Sequence, residues 1–444
     1  MTSISALAVA ALLATNTNPQ FEGHWGGELD LGQAQLRIEI ILEETDGSWS
    51  GELVSVDQGN ARVPATRVTV ENDRVIVDLS AAGARYEAEL LPGGTLDGEF
   101  HQAGQVFELD MSALAPDTDP EPAAISDDRD QEFSVSNGDV TLAGALRLPE
   151  GDGPFPAVVI ISGSGPQDRD MTVGEHRVFA TLAAHLADAG FASLRLDDRG
   201  VGGSDAVIPH HPQDIADDMG AALDALRSHP STQGQCVGYV GHSEGGSLAF
   251  LAASRSQPDF ILSLAGMHAS MAETLIEQGE ALVRASGGGD ADVAAQRAVQ
   301  DVVMIAMRES PVGEAGPAIE AGLVEAGLPQ QIAQQQAMIW GQTYAQNALD
   351  LDPASAMQAY DGPVSAIFGG SDLQVLADNM SARVSAARID QPTRLRTLAG
   401  HNHLLQQESS GLPAGYTSAP HAISPVALEA IEEELRALIN QACQ

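Results

Sequence analysis

The pentapeptide Gly241-His242-Ser243-Glu244-Gly245 constrains this chain more than any other stretch. It joins the apolar run Cys236 to Val240, with the texture of a buried strand, to a helical pattern from Gly245 to Ser254. A serine on a sharp turn between strand and helix needs small residues two positions to either side, because a side chain there would hold the two elements apart. The G-x-S-x-G pattern occurs once in the sequence. A serine so presented is a candidate nucleophile, and it requires a sheet with helices packed close against it.

The surrounding texture agrees. From Gln131 onward, short apolar runs alternate with helical stretches, the signature of a mainly parallel sheet flanked by helices. Strands are expected at Gln131 to Ser136, Val140 to Leu148, Ala157 to Ser162, Ala192 to Asp197, Cys236 to Gly241, Phe260 to Ala265, Val364 to Phe368 and Arg394 to Leu398. Helices are expected at Glu175 to Ala189, Pro212 to Ser228, Gly245 to Ser254 and Pro425 to Ala442. The interval 267–360 breaks the alternation with helical sequence rich in Ala, Gln, Glu and Met, and reads as a helical cap over the site.

Upstream the pattern is different. Between Gln35 and Met111 apolar and polar residues alternate in short runs, which means strands with one buried face. Turn signals such as Asp46-Gly47, Asn72-Asp73, Pro92-Gly93-Gly94 and Ala103-Gly104 suit antiparallel hairpins. A small antiparallel β-barrel or sandwich over residues 20–114 follows, joined by a Pro- and Asp-rich linker over 115–130 to a catalytic domain over 131–444. Residues 1–19 contain an apolar stretch, Ile4 to Ala14, long enough for a signal-peptide core and too short to span a bilayer. Periplasmic or secreted placement is the expectation, with a cytoplasmic protein as the alternative.

Composition removes several chemistries. All 21 basic residues are Arg, so phosphate-loop, Schiff-base and Ser-x-x-Lys mechanisms have no lysine to use. The net charge of −41 argues against nucleic acid and anionic membranes as partners. With only Cys236 and Cys443 and no C-x-x-C, a cysteine-built zinc site is excluded, and Cys236 beside a strand is expected as a buried free thiol rather than in a disulfide with Cys443. No H-E-x-x-H pattern occurs, so neither metal nor organic cofactor is expected. His210-His211 and the pairs Asp127-Asp128 and Asp217-Asp218 read as solvated surface.

A serine hydroxyl needs a base that is itself held by an acid. On a nucleophile turn of this kind the partners follow in the order Ser, Asp or Glu, His. His268 comes too early for that order, and His421 sits beside Pro420 before the last helix. His401 and His403 both follow the strand ending at Leu398, and the residues alone leave the choice between them open. Asp372 follows the preceding strand in Gly369-Gly370-Ser371-Asp372 and is the candidate acid. Oxyanion donors are expected from the backbone N–H of Glu244 and, in the loop Gly163-Ser164-Gly165, from that of Ser164. Asp197 to Ser204, Gly-rich but lacking G-x-G-x-x-G, reads as a structural turn beside the site.

Five stretches in combination carry a resemblance: SGSGPQDRD from Ser162, LDDRGVGGSD from Leu196, GHSEGG from Gly241, GGSDLQV from Gly369 and GHNHLLQ from Gly400. From about Gln131 to the end the chain resembles the bacterial α/β-hydrolases of esterase type related to dienelactone hydrolase and the serine aminopeptidase group. That resemblance places the base after Asn, hence at His403, and implies a triad of Ser243, Asp372 and His403. Its members often carry a β-rich N-terminal segment ending in a hairpin similar to Gly98-Glu99-Phe100-His101-Gln102. Two departures stand out: Ser162 where many relatives have His, and Ser243 where dienelactone hydrolases proper have Cys.

The expected fold is therefore α/β, an α/β-hydrolase with a cap insertion, preceded by a small antiparallel β domain. The expected activity is hydrolysis of short or medium acyl esters through an acyl-enzyme. A peptidase acting on small peptides with the same triad is the alternative, and a binding protein on a hydrolase scaffold a more distant one. The partner is a small-molecule ester, with no membrane span, and the oligomeric state is left open, a homodimer included.

Overall fold

A computed structural model describes residues 21–30, 35–45, 48–55, 61–79, 84–102, 105–114, 129–207 and 209–443. The apolar N-terminal stretch, nearly all of the linker and the turns at Asp46-Gly47 and Ala103-Gly104 lie outside them. The chain divides into two compact units, one of Met1–Val56 and Val63–Pro120 and the other of Asp57–Arg62 and Glu121–Gln444.

The first unit is a ten-stranded sheet. Its strands are β1 (Gly23–Asp30), β2 (Gln35–Thr45), β3 (Ser48–Ser55), β4 (Ala61–Pro64), β5 (Arg67–Glu71), β6 (Arg74–Leu79), β7 (Ala84–Leu90), β8 (Thr95–Gln102), β9 (Gln105–Glu108) and β10 (Met111–Ala113). They run in the order β4-β3-β2-β1-β10-β8-β7-β6-β5, with β9 also on β8. One face encloses a single core that includes Trp25, Ile40, Val77, Tyr86, Leu96 and Phe100. Alternation causes this: Val75, Val77 and Leu79 point inward while their neighbours do not. Trp25 and Phe100 are fully enclosed and Trp49 packs against the same cluster, so these aromatics are core. β1 lies ahead of Gln35, where the expected alternation begins.

The second unit holds an eight-stranded sheet in the order β11-β12-β16-β13-β17-β18-β19-β20. These strands are β11 (Asp130–Asn137), β12 (Val140–Arg147), β13 (Ala157–Ile161), β16 (Ala192–Leu196), β17 (Val237–His242), β18 (Ile261–Leu264), β19 (Val364–Gly369) and β20 (Thr393–Leu398). A small hairpin, β14 (Thr172–Val173) with β15 (His176–Arg177), precedes α1 (Val178–Asp188). β12 is antiparallel to both its neighbours, and from β16 to β20 every pairing is parallel. The parallel strands β13, β16, β17, β18 and β19 are buried along their whole length, as a sheet covered on both faces requires.

Helices supply the two covers. On one face lie α2 (Pro212–Ser228) and α3 (Glu244–Ser256), through Met219, Leu223, Leu248 and Phe250. On the other lie α1 and α11 (Pro425–Ala442), through Phe179, Leu182, Ile431 and Leu435. Between β18 and β19 come α4 (Met271–Ala285), α5 (Asp290–Glu309), α6 (Gly316–Glu325), α7 (Gln330–Trp340), α8 (Thr343–Ala348) and α9 (Ala354–Ala359). Residues of α4 to α8, among them Val303, Met307, Ile319 and Leu323, form a core of their own. α10 (Ala377–Ala387) then links β19 to β20.

Two expectations are corrected here. Cys236 is not a free thiol: it is disulfide-bonded to Cys443, with Cα atoms 6.2 Å apart, because the end of α11 is carried to the start of β17. Nor are Asp217 and Asp218 a solvated pair. Asp218 is buried on α2, where Arg199 donates to both its oxygens and Asn137 to one, so a charge that reads as surface in sequence is neutralised from two other segments. Asp217 pairs with Arg255, and the His211 ring accepts the Gln213 N–H to cap α2.

Candidate active site

Ser243 lies between the last residue of β17 and the first of α3, at φ 54° and ψ −122°. A left-handed φ at a non-glycine residue costs of order 1–3 kcal/mol and persists only where its surroundings enforce it. Here they do: Ser243 N–H donates to the Leu264 carbonyl at 3.1 Å, and its own carbonyl accepts from Gly246 and Met267. The flanking glycines are obligatory on geometry. A Cβ at Gly241 would stand 2.2 Å from the Gly245 carbonyl oxygen, and one at Gly245 would stand 2.4 Å from that of Ile161.

Asp372 follows β19 and is buried. Its Oδ1 accepts the backbone N–H groups of Gln374 (2.8 Å) and Val375 (2.9 Å), and its Oδ2 accepts from His403 Nδ1 at 2.8 Å. It caps no helix, since α10 begins only at Ala377. With Nδ1 donating, the neutral His403 ring has Nε2 left as an acceptor, the form a general base needs. Ser243 Oγ makes no hydrogen bond to His403 among the described residues.

His401 is occupied differently. Its Nδ1 lies 3.0 Å from the Ala399 carbonyl, which can only accept, so Nδ1 carries the proton. Nε2 therefore accepts from the Ser424 hydroxyl at 2.7 Å, and Ser424 in turn caps α11 by accepting the Ala427 N–H. No basic nitrogen of His401 is left over.

The loop carrying both histidines is shaped by a residue that sequence reasoning passed over. Asn402, fully buried, accepts from the N–H groups of Leu404 and Gln406 on Oδ1 and donates to the Gln406 side chain. β19 can approach this loop because a Cβ at Gly369 would stand 2.4 Å from the Asn402 carbonyl oxygen. His242 was also passed over. Its Nε2 donates to the His403 carbonyl at 3.0 Å, and its ring centroid is 4.8 Å from that of His403. Burial, with His403 alongside, holds the His242 imidazole down to about 3, so it stays neutral as a support for the base.

Glu244 N–H heads α3, and the Gly163-Ser164-Gly165 loop passes close to the serine: a Cβ at Gly163 would stand 3.1 Å from Ser243 Cβ. Ser162 donates to Asp198 Oδ1 at 2.9 Å, and Gln167 N–H donates to its Oδ2. Burial pushes the Asp198 carboxyl up to about 7 against the pull of those donors. Arg169 donates to Asp197 through its backbone N–H and its guanidinium. The stretch Asp197-Asp198 thus anchors the whole loop after β13, and a serine at 162 has a definite partner there.

The cap reaches the nucleophile turn. Tyr344 on α8 donates to Glu244 Oε1 at 2.9 Å, a contact between residues 100 apart that no local pattern signals. Among the cap helices lies a cavity of about 170 Å³, lined by Leu275, Leu282, Val303, Met304, Met307 and Trp340 together with several glutamines. One of these, Gln278, lies within hydrogen-bond range of Gln374, whose N–H is held by Asp372.

Residues 156–408, more than half of the chain, match the family model described as alpha/beta hydrolase fold. The chain belongs to the α/β-hydrolase family. Over 398 residues this α/β-hydrolase is 26% identical to Esterase EstD of Thermotoga maritima, covering 88% of this chain and 87% of the relative. Solved structures with a similar fold include the α/β-hydrolase GrgF from Penicillium sp., at 16% identity over 71% of this chain and 99% of that one, with a TM-score of 0.46. Another is the dienelactone hydrolase from Anabaena variabilis, at 19% identity over 71% of this chain and all of that one, with a TM-score of 0.37. Family and curated relative together support hydrolase activity.

Proposed function

We propose that this α/β-hydrolase is a serine carboxylesterase acting on short or medium acyl esters through an acyl-enzyme. One observation carries the reading most: a buried carboxylate fixes the His403 tautomer through Nδ1 and leaves Nε2 as acceptor, beside a serine held at positive φ at the head of a helix. In the reaction Ser243 Oγ hydrogen-bonds to His403 Nε2, a contact that is commonly long in a resting enzyme and tightens with substrate. Ser243 Oγ then attacks the ester carbonyl carbon while His403 Nε2 takes its proton. The amides of Glu244 and Ser164 hold the resulting oxyanion. Collapse breaks the bond to the alcohol oxygen, which leaves with the proton from His403. Water, deprotonated by the same nitrogen, attacks the acyl-enzyme; collapse breaks the bond to Ser243 Oγ, which takes the proton back from His403, and the acid is released.

The name of the Thermotoga relative supports an ester as substrate. A short or medium acyl group suits the cap, whose helices enclose a largely apolar cavity of about 170 Å³, although none of the proposed triad residues lines it. Export from the cytoplasm is supported by the Cys236–Cys443 disulfide, since such bonds persist in oxidising compartments. No helix among the described residues is long and apolar enough to cross a membrane. The test is a matched ester and amide pair assayed with Ser243→Ala and with a fluorophosphonate label. Ester turnover falling about 10³-fold or more in the variant, with the label on Ser243, is expected. Undiminished turnover refutes the mechanism, and preference for the amide replaces the esterase reading with a peptidase one.

A further inference from the structure

Glu244 follows the nucleophile, and a backbone donor is all that the proposed reaction asks of it. Its side chain nevertheless sits in a built environment. It is only 3% exposed, its Oε1 accepts the Tyr344 hydroxyl at 2.9 Å, and the Ser164 hydroxyl also faces the carboxyl. Among the described residues no Arg or His is ion-paired with it, and burial raises it above the usual carboxylate range. A carboxyl buried without a cation is costly unless hydrogen bonds satisfy it. The two hydroxyls that do so come from different places: Ser164 from the loop that offers the second oxyanion amide, and Tyr344 from helix α8 of the cap.

We propose that Glu244 is a positioning residue that couples the cap to the oxyanion donors. Resting on the serine-esterase reading above, the coupling works as follows. Tyr344 holds the carboxyl, the carboxyl holds Ser164, and the amides of Ser164 and Glu244 reach their working separation only when α8 is seated. The cap then does more than bound the acyl group. Its seating is transmitted, through one side chain, to the groups that stabilise developing charge, so a substrate that fits the cap gains in kcat rather than in affinity alone.

The test is a kinetic cycle on a small activated ester, with kcat and KM measured separately. Tyr344→Phe is expected to lower kcat about fivefold with KM within twofold, and Glu244→Ala to lower kcat about tenfold or more. Glu244→Gln, which keeps an acceptor for Tyr344 and a donor for Ser164, should stay within threefold of the parent. Adding Tyr344→Phe to Glu244→Ala should change kcat less than twofold, because the connection is already cut. Should Glu244→Ala fail to fold, Glu244→Met, similar in length and without an acceptor, takes its place in the cycle. Losses that multiply, or a Tyr344→Phe effect on KM alone, overturn the coupling. Ser243→Ala in the same assay separates the two levels: if it is dead while losses multiply, only the coupling falls, and if it stays active, the esterase reading falls and the coupling with it.

Discussion

Two histidines two residues apart give the sharpest test of the site, because the proposed mechanism gives catalysis to only one of them. His401→Ala removes the hydrogen bond to the Ala399 carbonyl and the one from Ser424, and empties a buried ring site next to the cap of α11. At about 1 kcal/mol for each bond and a further ~1 kcal/mol for lost packing, the change costs about 3 kcal/mol. Unfolding a unit of some 320 residues carries an entropy of about 0.7 kcal/mol/K, so Tm should fall by roughly 4 °C. kcat should stay within about tenfold of the parent. His403→Ala loses one side-chain hydrogen bond, to Asp372, and the packing of its buried ring against His242, about 2 kcal/mol in all, so Tm should fall by about 3 °C. Its kcat should drop about 10³-fold or more, matching Ser243→Ala, since members of a triad act as a unit. Purified variants, a thermal melt and one ester suffice. A His401→Ala enzyme as dead as Ser243→Ala, beside an active His403→Ala, would refute the assignment and the tautomer argument beneath it.

The Cys236–Cys443 bond closes a separation of 207 residues, for which chain entropy gives about 5 kcal/mol, or roughly 7 °C in Tm. Cys443→Ser, or the parent under reductant, should lose most of that, and a melt unmoved by either would mean that the bond does not constrain the unfolded chain. Asp198, pushed up to about 7 in the fold against ~3.9 unfolded, binds its proton more tightly when folded, so its stabilisation is complete below about pH 4 and lost as pH rises through 7, about 4 kcal/mol in all. Asp198→Asn removes that dependence: the Tm advantage of the parent over the variant should shrink between pH 4 and 7 and level off above, whereas a constant difference would show that the carboxyl is not raised. With a net charge of −41, Tm should also rise between low salt and about 1 M NaCl, where the Debye length is ~3 Å, and a flat curve would mean that the surface charge is already compensated.

What could be read before folding was what is local. The elbow is written in five consecutive residues because its steric demands fall on Gly241 and Gly245, and the central parallel strands are largely apolar runs bounded by turns. β1 escaped notice because Gly26 and Gly27 erase its alternation. They are glycines for a reason only the fold reveals, since a Cβ at Gly27 would stand 2.3 Å from the Asp110 carbonyl oxygen. Partners distant in sequence were equally hidden. Asp218 looks like surface until Arg199 is brought to it, the two cysteines look unrelated until α11 meets β17, and nothing near Glu244 announces Tyr344.

The absence of lysine takes on a second meaning inside the catalytic unit. The loop after β13 that carries Ser164 ends in Asp168-Arg169-Asp170, and each of its last two residues is pinned by an ion pair: Arg169 to Asp197, and Asp170 to Arg177 and to Arg195, which is itself paired with Asp130. Arg195 is 1% exposed at its side chain. A guanidinium keeps its charge when buried and reaches two carboxylates in fixed directions, which an ammonium on a flexible stem does not. On this side, therefore, the loop is anchored by guanidinium groups that keep their charge and direction, with Asp170 and Asp197 as their carboxylate partners. On the other side it faces Glu244, held by hydroxyls and by a helix of the cap. A loop fixed at one end by arginine pairs and adjustable at the other can have its amide moved by small displacements of the cap without losing its place in the fold.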